Sequence, residues 1–221
     1  MTAPGIPDGL LRVATLHSAD RSITRECRQS RRGDLRCSCS ACAGPRTLGF
    51  SEVAETVDVG APERVETDRL VMRRPAVGDA GAIFARYSNN PEVTRFLGWP
   101  RHHVVDDASA FVKFSDAEWQ RWPAGPYLIE ARDTGVLLGS TGLAFETTQR
   151  AATGYVLARD AWGHGYATEA LHAIVMIAAS VTVRRLYALC HPEHEASRRV
   201  LQKCGFTCEA TLRQYAEFLN L

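Results

Sequence analysis

The chain has 221 residues, of which 45% are hydrophobic and 23% charged, and its formal net charge at pH 7 is +1. These values are typical of one soluble globular domain with room for a tail. The near-zero net charge gives no support for a nucleic-acid partner, and no apolar run is long enough to predict a membrane span. The first residues lack the contiguous apolar stretch of a secretion signal, so we expect a cytoplasmic protein.

Residues 1–62 differ in composition from the rest of the chain. Prolines and glycines punctuate the segment, and its apolar residues show little periodicity. Such a composition predicts a poorly ordered N-terminal extension, with a short helix near residues 21–32 as an option, followed by one domain over residues 63–221. Six arginines crowd the middle of the extension: Arg21, Arg25, Arg28, Arg31, Arg32 and Arg36.

The chain contains seven cysteines, an odd number that favours reduced thiols over a disulfide framework in the cytoplasm. Four of them, Cys27, Cys37, Cys39 and Cys42, lie in the extension. Their spacing, C-x9-C-x-C-x2-C, lacks the two C-x2-C pairs of common zinc sites. A zinc site is the alternative to solvent-facing thiols, and we expect no metal.

The elements of the main domain follow from periodicity and turn residues. Helical spacing of apolar residues predicts helices, alternation predicts strands, and Asp133-Thr-Gly135 predicts a hairpin turn. Antiparallel hairpins followed by a β-α-β-α order predict a mixed, mostly antiparallel sheet of the α/β class, flanked by about four helices. The predicted ranges, in chain order, are strand 70–74, helix 79–89, helix 104–121, and strands 127–131, 136–145 and 151–157.

The next segment, A-W-G-H-G-Y-A-T-E-A over residues 161–170, is the most informative in the chain. It joins an apolar strand at 154–158 to an apolar helix at 167–179, with Gly163 and Gly165 in the turn. The free N–H groups and the dipole of a helix N-terminus favour an anion, and glycines let a phosphate approach the backbone. A plain tight turn is the alternative. There is no Walker loop, and Thr168 replaces the third glycine of a dinucleotide fingerprint.

A second strand and helix follow. Residues 184–190 predict a strand, Pro192 ends it, and residues 195–203 carry helical spacing up to Gly205. At this point the chain resembles the GNAT superfamily of acyl-CoA-dependent N-acetyltransferases, in particular the ribosomal-protein alanine N-acetyltransferases. Trp162 to Ala170 matches the family's W-G-x-G-Y-A-T-E-A motif. The later motif, N-x-x-S-x-x-V-L-x-K-x-G-F, is matched by Ser197, Val200, Leu201, Lys203, Gly205 and Phe206, and T-D-R-L-V-M-R-R-P over residues 67–75 resembles the family's first strand.

The resemblance implies a GNAT fold with acetyl-CoA as co-substrate. Backbone amides of the glycine turn would hold the pyrophosphate, the pantetheine arm would add to the strand ending at Ala158, and an N–H near Val156 or Leu157 would stabilise the oxyanion. The residues implied in cofactor binding are Tyr155, Val156, Leu157, Ala158, Trp162, Gly163, His164, Gly165, Tyr166, Ala167, Thr168 and His194. We expect residues 1–62 to be dispensable for CoA binding.

This chain departs from the family pattern at several positions. Asp160 replaces the usual Gln or Arg three residues before the first glycine, and His194 replaces the asparagine at the helix start. Thr153 stands where the family often has a glutamate, so no carboxylate base is evident. Residues 206–213 predict a strand, and too few residues follow it for the family's closing strand. We therefore expect a sheet without its final strand.

Two residues are candidates for proton transfer. Ser197 matches the family serine near the CoA sulfur and could protonate the departing thiolate; capping of the helix surface is its alternative. His191, at a strand end, is the best titratable base, with packing beside Pro192 as its alternative. Trp99, between the first two helical regions, stands where family substrates enter, or else is a buried loop residue.

The sequence thus predicts an N-acetyltransferase that transfers acetyl from acetyl-CoA to a primary amine. The acceptor is a protein N-terminus or a small amine, and the missing carboxylate favours a weakly basic amine. The competing class is a non-catalytic or truncated acyl-CoA-binding protein. We expect a monomer or homodimer without nucleic-acid or membrane partners.

Overall fold

The computed structural model describes residues 11–17, 60–213 and 215–221. One mixed sheet of eight strands, in the order β2-β3-β4-β5-β6-β7-β1-β8, organises these residues. The strands are β1 (Leu11–His17), β2 (Arg64–Glu66), β3 (Leu70–Arg73), β4 (Pro126–Ala131), β5 (Leu137–Thr147), β6 (Arg150–Leu157), β7 (Arg185–Cys190) and β8 (Thr207–Leu212). All neighbouring pairs are antiparallel except β6 and β7.

Five α-helices accompany the sheet in the described residues. They are α1 (Ala80–Ile83), α2 (Pro91–Thr94), α3 (Val105–Arg121), α4 (Tyr166–Ser180) and α5 (Glu195–Lys203). The predicted helix at 79–89 is broken into α1 and a π-helical turn, Phe84–Ser88. Helix α3 packs on α1 and β4, and α4 packs on β3, β5, β6 and α5.

The core lies where the long helices cover the sheet. Strands β3 and β4 bring Leu70, Met72, Leu128 and Ile129, and all four are fully buried. Helix α4 presents a buried stripe at helical spacing, which explains why this nearly all-apolar segment forms a helix against the sheet. The stripe consists of Ala170, Leu171, Ile174, Val175, Ile177 and Ala178.

Among residues 213 and 215–221 no strand follows β8, as the sequence predicted, but strand β1 fills the place beside β8, which the sequence did not predict. The sheet does not lack a strand beside β8, because Leu11–His17 lies between β7 and β8 and pairs with both in antiparallel register. The boundary at residue 62 therefore cuts off a strand that belongs to the sheet. The segment was missed because its alternation is short, L-R-V-A-T-L-H, and lies in an arginine- and proline-rich context. The predicted helix near residues 21–32 and the cysteines at 27–42 lie outside the described residues.

Candidate active site

The cleft opens where two strands of the sheet diverge. Strand β6 pairs with β7 from Arg150 opposite Arg185 to Thr153 opposite Ala188, and the ladder stops there. Residues 154–157 consequently have a free edge toward β7. Two cavities of about 400 and 300 Å³ meet along this edge. Both are lined by Leu97, Tyr155, Val156, His194 and Ser197.

The glycine turn forms one end of the cleft. Gly163 and Gly165 both have φ of 81°, a left-handed conformation that L side chains rarely adopt. Gly165 is the N-cap of α4, and its carbonyl accepts from the N–H groups of Thr168 and Glu169. None of the five N–H groups from residue 163 to 167 donates to the backbone of the described chain. The turn and the helix N-terminus therefore offer a row of donors to an anion.

The side chain of Arg69, the residue just before strand β3, braces this turn. Arg69 donates from Nη1 to the carbonyl oxygen of His164 at 2.9 Å, and its guanidinium lies 4.8 Å from the ring centre of Tyr166. The guanidinium is held in turn by Glu169, with Nε–Oε2 at 2.8 Å and Nη2–Oε2 at 2.7 Å. Sequence analysis did not assign this function to Arg69, although T-D-R-L was recognised as a motif.

Glu169 is the hub of the brace. Its Oε1 accepts from the hydroxyl of Thr67 at 2.6 Å and from the backbone N–H of Arg69 at 2.9 Å. Burial alone would raise the pKa of Glu169, but the hydrogen bonds from Thr67 and Arg69 outweigh it and hold the pKa below its ordinary value. The carboxylate is therefore ionised at neutral pH, and it fixes the first-strand motif to the turn.

The free edge of β6 directs specific backbone groups into the cleft. The N–H of Ala158 donates to Leu138 on β5, and the carbonyl of Val156 lies so close to Gly139 that no Cβ could fit there. Alternate residues of a strand point their N–H groups to opposite sides, so those of Tyr155 and Leu157 face the cleft. The carbonyl of Leu157 accepts from the indole Nε1 of Trp162 at 2.8 Å.

The acidic residue before the glycine turn is neutralised by an ion pair. Asp160 lies 3.0 Å from Nη2 of Arg86, and Arg86 also donates to the carbonyl of Leu137 at 2.9 Å. Its neighbour Arg159 pairs with Glu92 at 2.7 Å and covers the ring of Trp162. These contacts offset the negative charge of Asp160 close to the row of N–H donors in the turn.

The larger cavity has an aromatic wall. Phe96 stacks against the rings of His191 and His194, at centroid distances of 4.9 and 4.8 Å. Phe218 meets the His191 ring edge-on at 4.6 Å. Trp99, which the sequence placed at a substrate entrance or in a buried loop, lines this cavity. The segment 215–221 thus reaches the site, a contact that sequence analysis did not predict.

The protonation of His191 follows from its contacts. The ring is buried, and its Nδ1 accepts from the backbone N–H of Glu193 at 3.2 Å, so the neutral ring carries its proton on Nε2. Burial lowers the pKa of His191; Glu193 opposes this shift and Arg95 adds to it. At neutral pH the ring is therefore an uncharged hydrogen-bond donor with its acceptor nitrogen already occupied.

Two hydroxyl groups stand at the junction of the cavities. Burial raises the pKa of Tyr155 to about 12, and a hydrogen-bonding interaction with Ser197 opposes that rise. Thr153, in the position of the family glutamate, donates from its hydroxyl to the carbonyl of Gly142 at 2.8 Å. His194 precedes α5, and burial lowers its pKa, with His191 adding to the shift. Ser197 and Tyr155 are thus the two hydroxyl-bearing residues that line both cavities.

The structure brings the sequence-predicted residues into one cleft. The smaller cavity is lined by Tyr155, Val156, Leu157, Trp162, Gly163, Gly165, Tyr166, Ala167, Thr168, His194 and Ser197. His191 lines the larger cavity. His164 and Ala158 contribute through the backbone of the turn and the strand end. Arg199 and Lys203 on α5 also line the smaller cavity. Sequence analysis did not single out Arg199, and it named Lys203 only as part of the family motif.

Within the described residues, no three His, Cys, Asp or Glu side chains are grouped to hold a metal ion. In the same part of the chain, no helix is both long and apolar enough to cross a bilayer.

A family model described as "Acetyltransferase (GNAT) domain" matches residues 69–207. The chain therefore belongs to the GNAT acetyltransferase family, which confirms the resemblance and identifies it as an acyltransferase. YoaA of Bacillus subtilis (strain 168), an uncharacterized N-acetyltransferase, is 36% identical over 154 residues, covering 68% of this chain and 86% of that protein. The p20 protein of Bacillus licheniformis, another uncharacterized N-acetyltransferase, is 28% identical over 156 residues, covering 69% and 87%.

Solved structures share the fold. The Microcin C7 self immunity acetyltransferase MccE, in complex with acetyl-CoA and AMP, matches with a TM-score of 0.64 and 23% identity, over 74% of this chain and 92% of that one. RimL, a ribosomal L7/L12 alpha-N-protein acetyltransferase in complex with coenzyme A, matches with a TM-score of 0.60 and 22% identity, over 68% and 85%. At these identities the likeness concerns the fold, and it confirms the predicted class.

Proposed function

We propose that this acetyltransferase transfers the acetyl group of acetyl-CoA to a primary amine by direct attack. The observation that supports this most is the continuity of the cleft. A turn with five free N–H groups, suited to a pyrophosphate, leads along the free edge of β6 to an aromatic cavity. The pantetheine arm would lie on that edge, and the amine would enter from the cavity.

The reacting groups of the protein follow from this arrangement. The nitrogen lone pair attacks the thioester carbonyl carbon, a C–N bond forms, and the carbonyl oxygen becomes an oxyanion. The N–H of Leu157, which faces the cleft, is placed to stabilise that charge. When the intermediate collapses, the C–S bond breaks and the thiolate takes a proton. Ser197 is our candidate donor; its hydroxyl recovers a proton from Tyr155, Tyr155 recovers one from water, and the proton lost by the amine passes to water.

His191 has a different function in this proposal from the base considered at the sequence level. Because Nδ1 already accepts from Glu193, the neutral ring can donate from Nε2 but has no free acceptor nitrogen. We therefore propose that His191 orients the acetyl group or the amine by donating a hydrogen bond. Among the described residues no carboxylate lines the larger cavity, and this favours an amine that is neutral in a substantial fraction near pH 7, such as an α-amine.

The proposal includes two kinds of acceptor, an α-amine on a protein and a small amine. An α-amine on a protein is supported by RimL, which acts on a ribosomal protein, and a small amine is compatible with a cavity of about 400 Å³. We further propose that the catalytic unit is residues 63–221 together with strand β1, that it works as a monomer or homodimer, and that it acts in the cytoplasm, where acetyl-CoA is available.

The test is a thiol-release assay with acetyl-CoA and a panel of amines, combined with mass spectrometry of the products. We expect CoA release that depends on the amine, together with one acetyl group on the acceptor. A preparation of Gly165→Glu, purified in parallel, controls for contaminating enzymes. Tight binding of acetyl-CoA without release for any amine would instead support a non-catalytic acyl-CoA-binding protein.

A further inference from the structure

Over the part of the chain that the structure describes, the cavity beyond the thioester position is formally uncharged. The described residues that line it include no Asp, Glu, Lys or Arg side chain, and their ionisable groups are two histidines, one tyrosine and one cysteine. The apolar part of the lining includes Phe96, Trp99, Phe111, Leu143 and Leu189. This composition is unexpected for a site that binds an amine, since ammonium groups are ordinarily held by carboxylates.

The ionisable groups do not supply charge at neutral pH. Burial lowers the pKa of His191 and of His194, so both imidazoles are neutral. Burial raises the pKa of Tyr155 to about 12, so its hydroxyl keeps the proton. Cys190 is buried and donates from Sγ toward the carbonyl of His191 at 3.4 Å.

Cation–π contacts do not replace the missing carboxylate. The rings of His191 and His194 stack on Phe96, and the guanidinium of Arg95 lies 5.0 Å from its centre. The ring of Trp99 packs against His102 at 5.0 Å. Much of the ring surface that could face a cation is thus occupied, and Arg95 itself repels positive charge.

We infer that this site, if it acetylates amines as proposed above, selects acceptors that carry one amine beside an apolar or aromatic group, and excludes acceptors with a second cationic group. The reacting amine enters as the neutral base, because an uncharged cavity disfavours the ammonium form. A second ammonium group finds no charged partner in the cavity, so it retains its hydration only if it remains in solvent outside the cavity. Apolar side chains of an acceptor can occupy the aromatic cavity without losing the hydration of a charged group.

The sharpest test compares two acceptors that differ by one charge. Norleucinamide and lysinamide have the same α-amine and nearly the same side-chain length, but only lysinamide carries a second ammonium. We expect kcat/KM for norleucinamide to be at least about tenfold higher, with phenylalaninamide equal to or better than norleucinamide and spermidine inactive. Equal values, or a preference for lysinamide, would overturn the inference.

A carboxylate placed in the wall should reverse this order. Phe111 on α3 lines the cavity. Phe111→Glu should raise kcat/KM for lysinamide relative to kcat/KM for norleucinamide, while the neutral Phe111→Gln should leave this ratio unchanged. Phe114→Glu, on an exposed position of the same helix, is the matched charge control. If Phe111→Glu fails to fold, Leu189→Glu and Leu189→Gln provide the same comparison at a residue that is 42% exposed.

Binding separates this inference from the proposed catalysis. The three amides are titrated into CoA-saturated protein and their affinities are ranked by calorimetry. If the predicted order holds but no amide releases CoA from acetyl-CoA, the proposed catalysis fails and the selectivity stands. If CoA is released and lysinamide is preferred, the selectivity fails and the catalysis stands. Absence of binding by every amide at millimolar concentration would also refute the selectivity.

Discussion

The glycine turn and the acceptor cavity meet at Tyr155 and Ser197, yet they are built in opposite ways. The turn is contiguous in sequence, rich in hydrogen-bond donors, and braced by the ion pair of Arg69 and Glu169. The cavity is assembled from distant segments and has an apolar wall, and its described lining residues carry no formal charge. The pyrophosphate end of the cofactor would thus be held by backbone dipoles and cations. The thioester would react in less polar surroundings, which screen electrostatic interactions less than water does.

The largest effect should come from reversing the charge preference of the turn. In Gly165→Glu, a carboxylate would stand at the N-terminus of α4, where it occupies the anion site and repels pyrophosphate. We expect no acetyl-CoA binding by calorimetric titration and an unchanged circular dichroism spectrum. Gly165→Ala shares the backbone strain at φ 81° but adds no charge, and it should retain most of the affinity.

Retained micromolar affinity in Gly165→Glu would show that the turn does not hold the phosphates. The contrast between a phosphate-binding turn and an apolar acceptor cavity would then fail, because the free N–H groups of the turn would have no anionic ligand.

The next effect concerns the junction between the two regions. Ser197→Ala should lower kcat about ten- to hundredfold and leave the Kd for acetyl-CoA nearly unchanged, since it removes an interaction made only in the transition state. The loss is moderate because a thiol is already a fair leaving group. Ser197→Thr keeps a hydroxyl and should restore part of kcat. An unchanged kcat in Ser197→Ala would exclude this side chain from proton transfer.

A smaller effect is expected from the brace behind the turn. Arg69→Ala should weaken acetyl-CoA binding about three- to tenfold without a comparable change in kcat, because the pair between the half-exposed Arg69 and the largely buried Glu169 positions the turn and does not react. Glu169→Gln should act in the same direction, and the double variant should be less than additive. Arg64→Ala, which removes an exposed ion pair with Glu66, is the control and should leave the Kd unchanged.

The brace also has a defined pH range. The folded-state pKa of Glu169 is lowered from 4.5, so its contribution is complete above 4.5 and is lost as the pH falls through the lower folded value. Full additivity of Arg69→Ala and Glu169→Gln would show that the two residues act separately.

The smallest and most diagnostic effect is on the pH profile. Without a protein base, kcat/KM should rise with pH until the acceptor amine is neutral, and the inflection should move when an acceptor of different pKa is used. If His191 were the base, activity would rise through a fixed pKa below its ordinary 6.5, because burial lowers that pKa. His191→Gln should therefore leave the inflection unchanged. A fixed inflection below 6.5 that disappears in this variant would assign the base to His191.

Local patterns predicted much of the cofactor side. The strand, the two glycines and the helix are consecutive, so periodicity and turn chemistry were sufficient to place the amides from Gly163 to Ala167. The bounds of α5 were also predicted from apolar spacing. Arg69 was not assigned a function, because its contacts with His164 and Glu169 span 95 and 100 positions and leave no local signal.

The acceptor side was predicted only in part. Trp99 was given as an entrance residue by resemblance or else as a buried loop residue. Phe96, Phe111 and Phe218 were not identified as parts of the cavity wall, because they come from three segments distant in sequence, and the contacts of Phe96 and Phe218 with His191 depend on how those segments meet. The tautomer of His191 depends on one backbone N–H and cannot be read from sequence. Charge neutrality is a property of a surface formed by many segments, so no single motif encodes it.

Strand β1 has a consequence for the time course of folding. Its strand partners are distant in sequence: the hydroxyl of Thr207 donates to the carbonyl of Thr15, 192 positions away. During synthesis, Leu11–His17 leaves the ribosome early and must wait unpaired until β7 and β8 have been made. Such late pairings slow folding and prolong the exposure of strand edges. Insertion of this strand is therefore a late step in the maturation of the sheet, and the interval before it is when the chain most needs protection from aggregation.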